Sequence, residues 1–289
     1  MEADLLTLMD AKSASFSKGQ RRIAAYITEK YDKAAFMTAL KLGQAVGVSE
    51  STVVRFASLL GYDGYPELQR AMQEMIRNRL TAVQRIEVTE DQIGREDVLN
   101  KVLNSDMEKI RKTLETVSPD EFNAAVDAVT GAKAVYILGI RSAAVLARFL
   151  AFYLYLIFPA KVHFINTSSS SEMFEQMLRI SENDVLIAIS FPRYSKRTVQ
   201  GARFARSRGA KVLAVSDSED SPLVAQSDCK LLARSDMASF VDSLVAPMSL
   251  LNALVVAVGL SRRDDIAATF EELEQIWKEY DVYGTGEPK

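Results

Sequence analysis

Between Leu40 and Gly61 the apolar positions fall into two helical registers separated by a glycine. Leu42, Val46 and Val48 supply contacts before and at the break, and Val53, Phe56 and Leu60 recur at spacings of three and four beyond it. The spacing predicts two short helices broken at Gly47 and packed face to face, a helix-turn-helix. Gly43 leaves room for the second helix to approach, and Gly47 can take the positive φ that a tight turn requires. Ser49 stands at an N-cap position, where its hydroxyl can accept a backbone N–H, so the second helix starts near Glu50. With Val53, Phe56 and Leu60 turned inward, Ser51, Thr52, Arg55 and Ser58 project outward. Together with Ser49 they offer hydroxyls and a guanidinium suited to base edges and phosphates in a major groove. An ordinary helical hairpin with a solvated polar face carries the same turn glycine; the joint pattern favours a reading helix.

The same reading extends along the chain. Leu5 to Met9 predicts a short opening helix and Lys18 to Lys30 a longer one, with Ile23, Tyr26 and Ile27 on one face. Pro66 suits the first turn of a helix running to about Leu80, whose Arg70, Arg77 and Arg79 are either phosphate contacts or solvated charges. Between Ile86 and Asp97 the apolar period fades and the acids Glu87, Glu90, Asp91, Glu96 and Asp97 face Arg95 alone, which marks a linker. Helical spacing resumes from Val98 to Val117. From Ala134 the pattern changes to the short aliphatic runs AVYIL, KVHFI, VLIAI, KVLAV and CKLLA, alternating with helical stretches. That alternation predicts a five-stranded parallel sheet in a three-layer α/β fold, closed by two C-terminal helices from about Val241 and Asp264. The expected domains are residues 1–85, an all-α helix-turn-helix unit; 86–117, linker and connecting helix; and 118–282, the α/β unit.

Composition narrows the function classes. A formal net charge of -3 over 289 residues excludes a general polyanion binder, so affinity for DNA must come from a local surface. Between Lys41 and Arg85 the basic residues Lys41, Arg55, Arg70, Arg77, Arg79 and Arg85 only modestly outnumber Glu50, Asp63, Glu67 and Glu74. Two reading heads acting together are therefore expected on a double-stranded operator. Cys229 is the single cysteine, which excludes an intrachain disulfide and a cysteine-based zinc site. The N-terminus does not resemble a signal peptide, and Asp242, Pro247 and Asn252 interrupt the apolar run from Phe240 to Leu260. A cytoplasmic protein with no membrane span and no cofactor or metal is expected. The stretch AAVLARFLAFYLYLIF is apolar almost all round, more than one sheet face can cover, which predicts a homodimer or homotetramer.

Ligands of open parallel sheets bind beyond the carboxyl ends of the strands. Two loops there carry anion-binding chemistry. In GIRSAA, Gly139 permits a sharp turn, Arg141 adds charge and Ser142 opens a helix whose free N–H groups can hold an anion; the bland alternative is that Ser142 only caps that helix. In SFPRYSKRT, Ser190, Ser195 and Thr198, with Arg193, Lys196 and Arg197 nearby, bring hydroxyls, cations and a helix start together, a combination that suits a phosphate; a solvated basic turn is the alternative, and the preferred one for Arg197. Catalytic residues are not expected. His163, the single histidine, lies within a strand, and Glu172 and Glu175 sit where helix N-termini favour acids anyway.

The stretches FSKGQRRIAAYITEK and TALKLGQAVGVSESTVVRFASLLGYDGYPELQRAM, roughly residues 16 to 75, resemble the N-terminal domain of RpiR-type bacterial transcription regulators. Residues of about 119 to 280, through the two loops, resemble a sugar isomerase (SIS) domain. The resemblance implies a regulator of carbohydrate metabolism that senses a phosphorylated sugar or related small-molecule effector. A phosphosugar isomerase with an appended DNA-binding domain is the competing reading. Two departures stand out. Arg141 replaces the second glycine of the family's Gly-x-Gly-x-Ser segment, and Ser190 is separated from Ser195 and Thr198 by a longer, proline-containing loop. The arginine either pairs with an extra acidic group or fills part of the pocket.

Overall fold

A computed structural model describes residues 5–77, 82–94, 96–167, 169–235 and 241–283. The chain divides into two compact units, Met1–Ser105 with Met237–Asp242, and Asp106–Asp236 with Ser243–Lys289.

In the first unit, amphipathic segments too short to stand alone become helices by packing on one another. They are α1 (Leu5–Lys12), α2 (Lys18–Glu29), α3 (Tyr31–Ala34), α4 (Ala39–Val46), α5 (Glu50–Leu60), α6 (Tyr65–Arg77) and α7 (Ala82–Gln92). Ile23, Ile27, Leu42, Val53, Phe56, Leu68 and Met72 are wholly buried between them, and Phe16 meets the Phe56 ring edge-on at 5.3 Å. A capping box fixes the start of α2: the Gln20 amide donates to Ser17 Oγ and the Ser17 amide to Gln20 Oε1. The segment read as a linker differs from expectation, because its first half continues as α7. The buried Arg85 of that helix pairs with Asp242 at 2.7 Å, a tertiary partner that no local pattern announces. Arg79, Leu80 and Arg95, and the side chain of Arg77, lie outside the described residues.

The connecting helix α8 (Val98–Thr116) leads to α9 (Pro119–Gly131), which Ser118 caps by accepting the Glu121 amide. The second unit then alternates β1 (Val135–Gly139), α10 (Ala143–Ile157), β2 (Val162–Ile165), α11 (Ser170–Gln176), β3 (Val185–Ile189), α12 (Lys196–Ser207), β4 (Lys211–Ser216) and β5 (Cys229–Leu232). The five strands are parallel in the order β2-β1-β3-β4-β5. Alternate residues serve opposite faces. Val135, Ile137, Ile187 and Val215 pack with α9, α10 and α13 (Val245–Ser261), whereas Leu138, Leu186 and Ala214 pack with α11 and α12. This is the expected three-layer α/β fold. The last helix is α14 (Arg263–Glu279). The apolar run read from about Val241 becomes helical only at Val245 and buries Leu250, Leu251, Leu254 and Val258. Among the described residues no single helix is long and apolar enough to cross a membrane.

Candidate functional site

The geometry of the first unit converges on the turn between α4 and α5. Gly47 closes α4 at φ 71°, and the Val48 amide donates to the Gly43 carbonyl at 2.9 Å. A Cβ at Gly43 would stand 2.8 Å from the Val48 carbonyl oxygen, so only glycine allows this approach. Arg22, on α2, donates to the carbonyls of Val46 and Gly47, binding the exposed C-terminus of α4 with a positive charge.

On α5 the buried residues are Val53, Phe56, Ala57 and Leu60, which leaves Ser51, Arg55 and Ser58 exposed and Thr52 half-buried. One local expectation fails: Ser49 occupies the N-cap position but its hydroxyl makes no cap bond. It lies instead 3.0 Å from Ser51 Oγ and 2.8 Å from Thr52 Oγ1, so the hydroxyls form a linked cluster on the outer surface. Val54 is also exposed among these polar groups, a residue that the sequence pattern did not single out. An apolar group on such a face can meet a thymine methyl, as the hydroxyls and Arg55 can meet base-edge donors and acceptors.

In the second unit, the strand order places the topological switch between β1 and β3, with Gly139 opposite Ile189 at their carboxyl ends. The crevice of an open α/β sheet lies there. Both loops singled out in the sequence flank it. A Cβ on Gly139 would come within 2.6 Å of the Ala143 carbonyl oxygen, so the glycine lets α10 start directly over the strand end. Ser142 does not cap α10; its φ and ψ are already helical, and its exposed hydroxyl has no partner among the described residues. The capping alternative is thereby removed.

Across the crevice, Ser190 is buried, and its hydroxyl accepts the Ser195 amide at 3.1 Å. Ser195 in turn caps α12 by accepting the Thr198 amide, while Thr198 Oγ1 is fully buried without a hydrogen-bond partner. Ser190 and Thr198 therefore support the loop from within, and Arg141, Ser142 and Arg193 form its exposed rim. Arg141 and Arg193 have φ of 63° and 61°, a left-handed conformation that costs a non-glycine residue about 1–2 kcal/mol.

A third layer of support was not read from the sequence. Ser216, at the end of β4, donates to the Ser190 carbonyl at 2.8 Å and lies 2.8 Å from the Ser221 hydroxyl, and Tyr194 donates to Asp217 Oδ1 at 2.9 Å. Polar residues closing the apolar run KVLAV were the available signal. A cavity of about 610 Å³ lined by Lys133, Lys161, Lys211, Asp127, Glu182 and Asp184 opens at the amino ends of the strands, opposite these loops. Its cations and acids balance, and the Lys161 ammonium already donates to the Ala132 carbonyl.

His163 stacks on Tyr136 at 4.6 Å on edge strand β2, and Glu172 accepts from Thr167 and Gln176 in the first turns of α11. Among the described residues no group of three His, Cys, Asp or Glu side chains could hold a metal ion.

Residues 3–79 match the helix-turn-helix domain of the rpiR family, and residues 129–257 match the SIS domain. The chain thus carries the helix-turn-helix domain of the rpiR family together with a SIS domain. It is 24% identical over 281 residues to the HTH-type transcriptional regulator HexR of Pseudomonas aeruginosa, covering 94% of this chain and 95% of that protein. The Vibrio vulnificus NanR protein, solved in complex with ManNAc-6P, aligns over 97% of this chain and 100% of its own at 21% identity and a TM-score of 0.59. The sugar isomerase domain of an RpiR transcription factor from Sphaerobacter thermophilus aligns over 62% of this chain and 99% of its own, at 24% identity and a TM-score of 0.59. At these identities the solved structures establish a common fold. Arg141, which stands where the resemblance to the family implies a glycine, has a left-handed backbone at φ 63°.

Proposed function

We propose that this chain is a DNA-binding transcriptional regulator whose SIS domain senses a phosphorylated sugar or related small anion. The observation that carries the reading is the pairing, in one chain, of an exposed polar α5 face on an rpiR-type helix-turn-helix with a SIS sheet whose switch-point loops present an uncommitted Ser142 hydroxyl and two arginines. Ser49, Ser51, Thr52, Arg55 and Ser58 read the duplex, with Arg55 the best placed by chemistry for a guanine. Gly139, Ser142 and Ser195 hold the phosphate at the amino ends of α10 and α12, where unpaired N–H groups and the helix dipole favour an anion. Ser190 and Thr198 shape that loop from behind. The complex of NanR with ManNAc-6P supports a phosphosugar as the class of effector.

Sensing is favoured over turnover because isomerisation requires a positioned base near the sugar carbonyl. His163 is held in a ring stack, and Glu172 is engaged in its own helix. A homo-oligomer assembled through the second unit follows from the exposed Val145, Phe152 and Tyr155 of α10 and Val256 and Leu260 of α13. The test is selection of duplexes from a random pool by the full-length protein, with and without sugar phosphates, alongside an aldose–ketose phosphate interconversion assay. Enrichment of a two-fold or tandem motif whose retention responds to a sugar phosphate is expected. Failure to enrich any motif, or interconversion at enzyme-like rates, overturns the reading.

A further inference from the structure

Resting on the DNA-binding reading, we infer that the first half of α2 is a second part of the DNA interface, in which Lys18, Arg21 and Arg22 hold phosphates of the backbone that walls the groove entered by α5. From Lys12 to Thr28 the chain carries four cations, Lys12, Lys18, Arg21 and Arg22, and no acid. That surplus lies outside the stretch from Lys41 to Arg85, whose own excess of base is small. Positions 18, 21 and 22 are spaced i, i+3 and i+4, so their side chains share one face of α2, and all three residues are exposed.

The fold seats this face beside the reading helix. A Cβ at Gly19 would lie 3.3 Å from Val48 Cγ1 and 3.5 Å from Thr52 Cγ2, so the first turn of α2 rests against the first turn of α5. Arg22, three residues on, reaches the carbonyls of Val46 and Gly47 at the turn. Those carbonyls end α4, where the helix dipole is negative and would repel a phosphate; the guanidinium offsets that charge and has further N–H donors on its fork. Arg21 donates Nε to the Phe16 carbonyl at 3.0 Å, which orients its guanidinium. Neither Arg21 nor Lys18 makes an ion pair among the described residues.

Position and chemistry select phosphates over bases. A major groove about 12 Å wide admits one helix, so a helix packed beside α5 meets the wall of the groove, which is sugar and phosphate. Guanidinium and ammonium groups are the side chains that pair with phosphate oxygens, and they fix register without reading sequence. Three such contacts add about 2.7 to the slope of log affinity against log salt for each reading head. They supply locally the attraction for a polyanion that a chain of net charge -3 lacks as a whole.

The experiment is equilibrium binding of the full-length protein to a duplex enriched from a random pool and to a scrambled duplex of the same length, between about 50 and about 200 mM salt. Lys18→Gln should lower the salt slope by about 0.9 for each bound reading head, and Lys18→Gln/Arg21→Gln by about twice that, with affinity for both duplexes falling by the same factor. Lys30→Gln removes an equal charge from the opposite end of α2 and should leave the slope as it was. An unchanged slope in the double variant, a loss confined to the enriched duplex, or an equal loss from Lys30→Gln overturns the α2 interface while the reading role of α5 stands. A parent protein that retains neither duplex at the lowest salt removes both.

Discussion

The backbone amide of Ser195 donates to the buried hydroxyl of Ser190, five residues earlier, across 3.1 Å. That bond spans the loop from Ser190 to Ser195, at the start of α12. Ser190→Ala leaves the amide without its acceptor and should cost about 1–3 kcal/mol of stability. Denaturant midpoints should fall with the m-value unchanged, and thermal stabilisation by the effector should weaken together with it. A variant with unaltered midpoint and response would show that the loop is held by other contacts.

Arg55→Ala should fold as the parent does, since its side chain is exposed on α5. Discrimination for the selected operator should fall by about 1–3 kcal/mol, measured by competition between operator and scrambled duplex at fixed salt. Loss of affinity that is equal on both duplexes would assign Arg55 to a phosphate instead.

Gly43→Ala places a methyl group 2.8 Å from the Val48 carbonyl oxygen, a backbone atom that cannot swing aside. The turn between α4 and α5 must open. About 1–3 kcal/mol of destabilisation and loss of operator binding are expected, while the effector-induced rise in melting temperature of the second unit persists. Circular dichroism melts with and without effector read both outcomes.

Cys229 tests the sheet edge. Burial, reinforced by Asp228, pushes its thiol up to about 11, above the usual cysteine range. The folded chain thus keeps its proton where the unfolded chain has lost it, so the contribution to stability is present below the unfolded value and is lost as the pH rises toward 11. Alkylation at pH 8 should be slow in the native protein and fast in urea, and Cys229→Ser should flatten the alkaline decline of stability. Rapid native alkylation would place the thiol in solvent.

Periodicity alone determined the elements that define this protein: the apolar spacing around Gly47, the alternating runs from Ala134, and the loops containing Ser142 and Ser195. Local physics governs them, because a helix stripe, a buried parallel strand and a glycine turn each leave their repeat in the chain. Tertiary structure decided the rest. Whether a hydroxyl caps its own helix depends on which neighbour lies closer, so Ser49 turned to Ser51 and Thr52, and Ser142 was left exposed. The weak pattern around Arg85 hid α7 because its buried guanidinium pairs with Asp242, more than a hundred residues away. The layer of Ser216, Asp217, Ser221 and Tyr194 behind Ser190 was equally hidden, since only pairing β4 beside β3 brings those residues together. The strand order itself came from packing, and with it the crevice between β1 and β3, because residues that pair across a parallel sheet are distant along the chain and leave no local period.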